Sequence, residues 1–406
     1  MFDALIVGAG PAGSHLAFLL AGEGLRVALM DRDTFPRDKV CGGGLSPKTL
    51  DHLGIDLAPV IEQRTTGALI TYRNRATIEK AVDPSPGCTV LRRDFDYFLL
   101  QRAVAAGARF FPGRAFVDVK TGIDGKAGSE TALGHLTVRT SRETLRTAML
   151  FAADGVGSAV RKRVFGKHLV AYVPALEALV KVDESKMDEA AEIFDNRVLF
   201  DLGGMQRGYG WIFPKRDHLN VGVYSPFGGQ RLREELARFM GCYPLLAQAR
   251  SVRYQGYAIP LRNRRDEFAR GRVWLVGDAA GLAEAVFGEG IYFALKSAAL
   301  AAQAFKESGF RPEGRRYQKL LGDELLPELR AARIIARMLY AAPRYSFRHL
   351  ASDPRINDYF AGLITGETGY RECLWRTAAS LPRWLFRDSA RQAPPAQPFT
   401  NSRQPP

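Results

Sequence analysis

Gly8, Gly10 and Gly13 stand at the spacing of a phosphate-binding turn, and Asp31 follows where a ribose-binding acid would stand. In Gly8-Ala9-Gly10-Pro11-Ala12-Gly13, Gly8 permits a tight turn and Gly10 lets a pyrophosphate approach the backbone. Gly13 lets a helix and a strand pack closely. A helix starting here presents free N–H groups and partial positive charge to phosphates. The Asp31 carboxylate, with Arg32 beside it, can accept hydrogen bonds from ribose hydroxyls. Taken alone the glycines are weak evidence. Their context is stronger: a strand over residues 3–7, a helix over 14–21, and a second strand over 27–30 that runs into Asp31. That βαβ arrangement points to a bound dinucleotide rather than an incidental glycine-rich turn.

Three further groups carry candidate chemistry. Cys41 precedes Gly42-Gly43-Gly44, a run that can lie flat against a planar ring and removes side chains that would block a substrate, or is simply a flexible turn. Two readings of Cys41 stand side by side: a proton donor or redox-sensitive thiol, and a small packing residue. Gly288-Glu289-Gly290 opens a long apolar helix whose N-terminus would stabilise negative charge, and Glu289 also reads as a first-turn acid. Tyr209, Trp211 and Phe213 alternate and so share one face of a strand, either as plain core or as the lining of a long apolar pocket. Six histidines show no ligand spacing, so no metal is expected. No nucleophile elbow supports Ser/His/Asp hydrolysis.

The elements that must hold these residues follow from periodicity. Residues 93–106 read as a helix through Phe95, Phe98, Leu99 and Val104. Residues 109–111, 115–119, 136–138 and 148–152 read as strands, with a hairpin turn over 121–134. Residues 170–260 alternate in a strand-like way, as in 176–182 and 219–224, and suggest a β-rich domain. Residues 272–276 return to a buried strand, and residues 290–305 form a helix. The fold class is therefore mixed α/β: a discontinuous Rossmann-like domain with an inserted antiparallel sheet domain and a helical C-terminal part. The expected boundaries are 1–60, 86–167 and 266–308 for the nucleotide domain. Residues 61–85 and 168–265 form the inserted domain, 309–391 the helical region, and 392–406 a disordered, proline-rich tail.

With 406 residues, 46% hydrophobic and 25% charged, the chain has ordinary globular composition. Its net charge of +14 reads as a solvated basic surface or as attraction to anionic lipid or an acidic substrate. No recognition module for nucleic acid stands out. The four cysteines, Cys41, Cys88, Cys242 and Cys373, form no close pair, which predicts a reduced, cytoplasmic protein. The first strand begins almost at Met1, so no signal peptide is expected, and no apolar run reaches the roughly 20 residues of a membrane span. Residues 326–339 interleave Leu326, Leu329, Ile334, Ile335, Met338 and Leu339 with Arg330, Arg333 and Arg337. Such an amphipathic helix either packs on the protein or docks on an anionic membrane. Residues 375–386 repeat the theme.

Two more turns complete a recognisable set. Ala153-Asp154-Gly155-Val156-Gly157-Ser158 follows one strand and Val276-Gly277-Asp278-Ala279-Ala280-Gly281 another. With the first motif they resemble the FAD-binding set of the p-hydroxybenzoate hydroxylase-type flavoproteins. The resemblance implies FAD as cofactor, Asp278 and Gly277 at the ribityl chain, and Asp154, Gly155 and Ser158 near the pyrophosphate. It also implies Arg93 near the flavin phosphates. The segment Val40-Cys41-Gly42-Gly43-Gly44 and the run Tyr209-Gly210-Trp211-Ile212-Phe213-Pro214 are similar to signatures of the geranylgeranyl reductase family. Phe287-Gly288-Glu289-Gly290-Ile291 fits that family's flavin-contacting loop. The archaeal-lipid branch carries Arg-Cys-Gly-Glu-Gly at the cysteine, and the chlorophyll branch a different glycine run. The chain resembles most the bacterial branch that includes menaquinone side-chain reductases.

The resemblance implies a reductase that saturates C=C bonds in the isoprenoid chain of a lipid or prenylquinone. Cys41, Gly43, Gly44 and Glu289 would be catalytic, and Cys41, Gly42, Gly288, Gly290 and Ile291 would contact the flavin. Tyr209, Trp211, Phe213 and Pro214 would bind substrate. Electrons would come from NAD(P)H or a ferredoxin-like donor bound transiently, because no second glycine motif is present. A monomer is expected, either free in the cytoplasm or in peripheral contact with the inner face of the cell membrane. Two other functions remain open on sequence: an FAD-dependent monooxygenase, and an electron-transfer or lipid-binding flavoprotein.

Overall fold

The computed structural model describes residues 1–74, 76–81, 87–123, 134–166, 170–228, 231–247, 249, 251–262 and 267–385. The chain divides into two compact units. The first combines Met1–Lys39, Arg92–Tyr172 and Ile259–Pro327; the second combines Val40–Leu91, Val173–Ala258 and the chain from Glu328 onward.

The first unit is built on a parallel sheet. Strand Phe2–Val7 lies between Val27–Met30 and Thr144–Ala152, all parallel. Arg109–Phe111 extends the sheet beyond Val27–Met30, and Val273–Leu275 extends it beyond Thr144–Ala152, again in parallel. Parallel strands are covered on both faces, which explains unbroken apolar runs such as Leu5-Ile6-Val7 and Ala28-Leu29-Met30. Helices Pro11–Gly22, Arg92–Ala105 and Ile291–Glu307 belong to this unit. The first of them starts three residues earlier than the periodicity suggests, because Pro11 at its first position has a backbone already set for a helix. Strands Phe116–Ile123 and Gly134–Thr140 pair antiparallel, as the expected hairpin requires. The residues 124–133 of that expected turn, like the tail 392–406, lie outside the described residues.

The second unit holds a seven-stranded, mostly antiparallel sheet, with Tyr209–Pro214 between Arg197–Leu202 and Leu219–Tyr224. One face is apolar core, in which Leu199, Ile212, Val221 and Val223 pack with Phe194, Leu236 and Phe239. The last three come from helices Glu184–Phe194 and Leu232–Gly241, which the β-rich reading of 170–260 omitted. A small sheet of Gly44–Leu45, Gly87–Val90 and Ile61–Thr65 belongs to the same unit. That pairing explains why residues 40–60 and 86–91 group here rather than with the nucleotide domain, where the expected boundaries put them. Nor do residues 309–391 form a unit of their own. Tyr340 stacks on Tyr209 at 6.4 Å, and Phe347 meets Tyr72 at 5.7 Å, so helices Leu326–Ala341 and Pro343–Ser352 are tied to the second unit.

Candidate functional site

In the first unit the glycines are required by close backbone approach. A Cβ on Gly13 would stand 1.8 Å from Gly8 O, and one on Gly8, whose φ is +103°, would stand 2.3 Å from Ala153 O. The early turn and the Asp154 turn are thus pressed together. Gly10 differs: the nearest atom to its would-be Cβ is Arg37 Nη2 at 3.7 Å, so this face of the turn is open. Asp31 Oδ2 accepts from Ala9 N at 2.7 Å and Oδ1 from Asp33 N at 3.0 Å, which braces the turn and leaves further lone pairs. Burial pushes the Asp31 pKa up, against the pull of these bonds. Arg32 is 78% exposed and pairs only loosely with Asp33.

Asp154 caps a helix. Its Oδ1 accepts from Ser158 Oγ at 2.5 Å and its Oδ2 from Ala159 N at 2.7 Å, while Ser158 Oγ accepts from Arg161 N at 2.9 Å. Helix Ala159–Val164 is thereby anchored, with Gly155 at φ +74° making the turn before it. Arg161, fully buried, donates to Val156 O at 2.7 Å and Ala279 O at 2.8 Å, tying the Asp154 turn to the Asp278 turn. Gly277, at φ +55°, fits against Ala12 and Ala294, and its N–H donates to Ser297 Oγ at 2.9 Å.

The Asp278 carboxylate receives no hydrogen bond from any described residue. It is flanked by the charges of Lys39, Arg92 and Arg161, yet burial still raises its pKa. Gly290 leaves space beside it, since a Cβ there would lie 3.2 Å from Oδ1. The loop before helix Ile291–Glu307 is held by a residue the sequence reading passed over. Fully buried Glu284 accepts from Val286 N at 2.6 Å, Phe287 N at 2.7 Å and Glu289 N at 2.9 Å. Glu289 is not a first-turn acid: the helix begins at Ile291 behind Gly290, and no acid lies in its first turn. Gly288, at φ +67°, turns the loop. Of the two arginines that open helix Arg92–Ala105, it is Arg92 whose charge acts on Asp278. Arg93 is exposed, whereas Arg92 is buried and gives Asp96 a two-point contact at 2.7 and 2.9 Å.

These features fit a flavin dinucleotide. The Gly10 face is open, Nη1 of Arg37 is buried with no hydrogen-bond partner, and helix Pro11–Gly22 has no side-chain cap over its N-terminus. The Asp278 carboxylate also awaits a donor.

Cys41, Gly42, Gly43 and Gly44 lie in the second unit, together with the aromatic strand. A Cβ on Gly42 would stand 3.0 Å from the Phe213 ring and 3.3 Å from Trp211 Nε1; one on Gly44 would stand 3.1 Å from Phe213. The glycine run therefore lies directly on these two rings. Cys41 Sγ accepts from Gly43 N at 3.4 Å, which folds the loop back on itself. Trp211 donates from Nε1 to Asn220 Oδ1 at 2.7 Å, and its indole occupies the space over Gly222. Tyr209, Trp211 and Phe213 follow one another at 6.0 and 6.4 Å, on the sheet face opposite Ile212 and the core. Pro214 O accepts from Thr89 Oγ1 at 3.1 Å. Among the described residues no group of His, Cys, Asp and Glu could hold a metal, and no helix is long and apolar enough to cross a membrane.

Comparison with known proteins agrees with this geometry. The family described as FAD binding domain matches residues 1–308. A geranylgeranyl diphosphate reductase from Rhodobacter capsulatus is 30% identical over 321 residues, covering 76% of each chain. A menaquinone reductase from Mycolicibacterium smegmatis is 25% identical, covering 84% of this chain and 85% of its own. The crystal structure of a geranylgeranyl bacteriochlorophyll reductase-like protein from Thermoplasma acidophilum shares the fold, with a TM-score of 0.71 at 22% identity over 95% of this chain and 98% of that one.

Proposed function

We propose, from the premise that this chain belongs to the FAD binding domain family alongside the geranylgeranyl reductases, that it saturates C=C bonds in the isoprenoid chain of a lipid or prenylquinone. It is an FAD-dependent oxidoreductase. Reduced FAD, when bound, supplies the hydride for such a reaction. Gly10, Gly13 and Arg37 would hold the pyrophosphate, Asp31 the adenosine ribose and Asp278 the ribityl chain. Asp154, Ser158 and Arg161 set the turns that carry them, and Glu284 shapes the loop from Gly288 to Ile291.

The observation that carries the substrate reading is the seat of Gly42 and Gly44 on the rings of Trp211 and Phe213. A loop without side chains over a row of aromatics offers an apolar, water-poor surface suited to a polyprenyl tail. An unactivated alkene has no carbonyl to polarise, so close positioning is the protein's main lever. NAD(P)H or a ferredoxin-like protein would reduce the flavin. Such substrates reside in membranes, and exposed Trp375, Tyr345, Ile334 and Met338 are the side chains that would touch lipid.

The test is mass spectrometry of geranylgeranyl diphosphate, and separately menaquinone, after incubation with the anaerobically reduced holoprotein. Products heavier by pairs of hydrogens support the reading. Products heavier by oxygen, formed only in air, move the protein to the monooxygenases. Unchanged substrates with flavin still reduced sink the isoprenoid reading and leave FAD binding intact.

A further inference from the structure

Helix Leu326–Ala341 has two faces of different character. Ala332, Ala336, Leu339 and Tyr340 are buried, and the stack of Tyr340 on Tyr209 holds this face on the sheet of the second unit. The opposite arc, Arg330, Ile334, Arg337, Met338 and Ala341, is exposed. These positions recur at steps of three and four residues, so they form one stripe along the helix. Ile334 is 45% exposed and Met338, one turn on, 43%. Ser346 Oγ donates to Met338 O at 3.4 Å, which brings the start of helix Pro343–Ser352, with Tyr345 60% exposed, to the same end of the stripe. Single exposed apolar side chains are ordinary on a protein surface, whereas a group of them marks a contact. Charge singles out the stripe again. From Leu329 to Ser352 the chain has five arginines and no Asp or Glu. Arg330, Arg337 and Arg344 are exposed, and among the described residues none of the three forms an ion pair. Exposed arginines elsewhere, such as Arg26, Arg163 and Arg270, are paired with Asp3, Asp118 and Glu267.

We propose that this stripe docks on a bilayer that contains anionic lipid. The inference rests on the reductase reading above for its purpose, since it names the surface on which such a substrate would be met, but it is tested without turnover. Ile334, Met338 and Tyr345 enter the boundary between headgroups and acyl chains, as the apolar face of an interfacial helix does. The stems of Arg330, Arg337 and Arg344 lie on that apolar ground while their guanidinium groups stay level with the headgroups. A guanidinium grips phosphate oxygens through paired N–H groups. Each arginine near an anionic surface is worth about fivefold in affinity, and the three about 100-fold together. Both halves of the stripe are then used. A nucleic acid would take the arginines and leave Ile334 and Met338 idle. A second copy of this chain would set the same arginines against each other, with a net charge of +14 on each partner. The buried face of the helix keeps its seat on the sheet, so docking requires no rearrangement.

The experiment measures co-sedimentation of the FAD-loaded protein with two kinds of vesicle: phosphatidylcholine alone, and phosphatidylcholine with about one third phosphatidylglycerol. Wild type should bind the mixed vesicles about 100-fold more tightly than the neutral ones, and lose most of that preference at about 0.5 M salt. The triple variant Arg330→Gln/Arg337→Gln/Arg344→Gln should bind mixed vesicles about 100-fold more weakly than wild type. The double variant Ile334→Ser/Met338→Ser should bind about tenfold more weakly at every salt concentration. A second triple, Arg109→Gln/Arg142→Gln/Arg315→Gln, removes the same charge from exposed positions of the first unit, and should stay within about threefold of wild type. All these positions are exposed, so FAD content and thermal unfolding should match wild type, which separates docking from misfolding. Equal binding to both vesicles, an equal loss in the two arginine triples, or a serine variant that binds like wild type overturns the docking. So does a lipid-free dimer, seen by light scattering, that the serine variant takes apart, because it assigns the stripe to a second copy. Docking by a protein that leaves geranylgeranyl diphosphate unreduced overturns the reductase reading alone. Reduction of the diphosphate in solution by a protein that ignores both vesicles overturns the docking alone.

Discussion

Replacing Lys215 with methionine should make this protein more stable at neutral pH. The lysine titrates at 10.5 in an unfolded chain and at about 8 here, because burial penalises its charged form. At about 1.4 kcal/mol for each pH unit, the folded chain carries a penalty of about 3 kcal/mol when the amine is protonated. Methionine removes that charge with little change of shape, and loses the bond to Val90 O, worth about 1 kcal/mol. The net gain at pH 7 is about 2 kcal/mol. The sign depends on pH. Between about 8 and 10.5 the unfolded chain binds this proton and the folded chain does not, so wild-type stability rises with pH across that window. The penalty is complete below about 8 and absent above 10.5, where only the lost hydrogen bond remains and the variant should be the weaker protein. Urea unfolding of both proteins at pH 7, 8.5 and 10, followed by tryptophan fluorescence and circular dichroism, measures the difference. A variant less stable at pH 7, or a difference that does not change with pH, would refute the account of the buried amine.

Other consequences are as specific. Gly13→Ala puts a Cβ on Gly8 O, backbone against backbone, and should lower bound flavin at least about tenfold, read as the 450 nm absorbance of the purified protein. Arg37→Met removes a buried guanidinium whose Nη1 has no partner, and should weaken FAD binding about tenfold while flattening its salt dependence, measured by fluorescence titration. Glu284→Gln leaves one oxygen where two accept three N–H groups, so the amides of Val286, Phe287 and Glu289 should exchange with deuterium about 10- to 100-fold faster. Gly222→Ala places a Cβ 2.1 Å from Trp211 Cζ2 and should cost about 1–3 kcal/mol by overpacking. It should also raise KM for geranylgeranyl diphosphate with FAD content unchanged.

The βαβ start was legible because each part has its own local signal: apolar runs for buried parallel strands, Gly8 and Gly13 for close approach, Asp31 at a strand end. The aromatic row was legible for the same reason, since alternation fixes a face. What period alone could not reveal is which distant segments meet. Nothing local in Gly42-Gly43-Gly44 says that it rests on Trp211 and Phe213, because that depends on the pairing of Gly44 with Thr89 and on Thr89 reaching Pro214 O. Arg92 and Arg93 are indistinguishable as letters, and helix phase alone decides which of them is buried. Glu284 and Lys215 read as ordinary surface charges until burial is known. The helices Glu184–Phe194 and Leu232–Gly241 did leave a signal. Met187, Ala190 and Phe194 recur at helical spacing, as do Leu232, Leu236, Phe239 and Met240, inside a region whose strands dominated the pattern.

The order in which the first sheet is assembled sets a timetable for synthesis. Strand Phe2–Val7 can pair with Val27–Met30 almost as soon as both emerge, but its other neighbour, Thr144–Ala152, follows more than a hundred residues later. Val273–Leu275, which completes that side, comes later again. At roughly 5–20 residues per second, a ribosome needs on the order of 10–50 s between the second strand and the last. Throughout that interval a growing chain exposes apolar strand edges that its own missing segments must cover, a period of exposure to aggregation and to chaperones. A ligand that requires both the Gly10 turn and Asp278 can stabilise nothing before that moment. The supply of cofactor would then govern the yield of folded protein in cells, and flavin starvation during expression should deplete this protein before its messenger RNA falls.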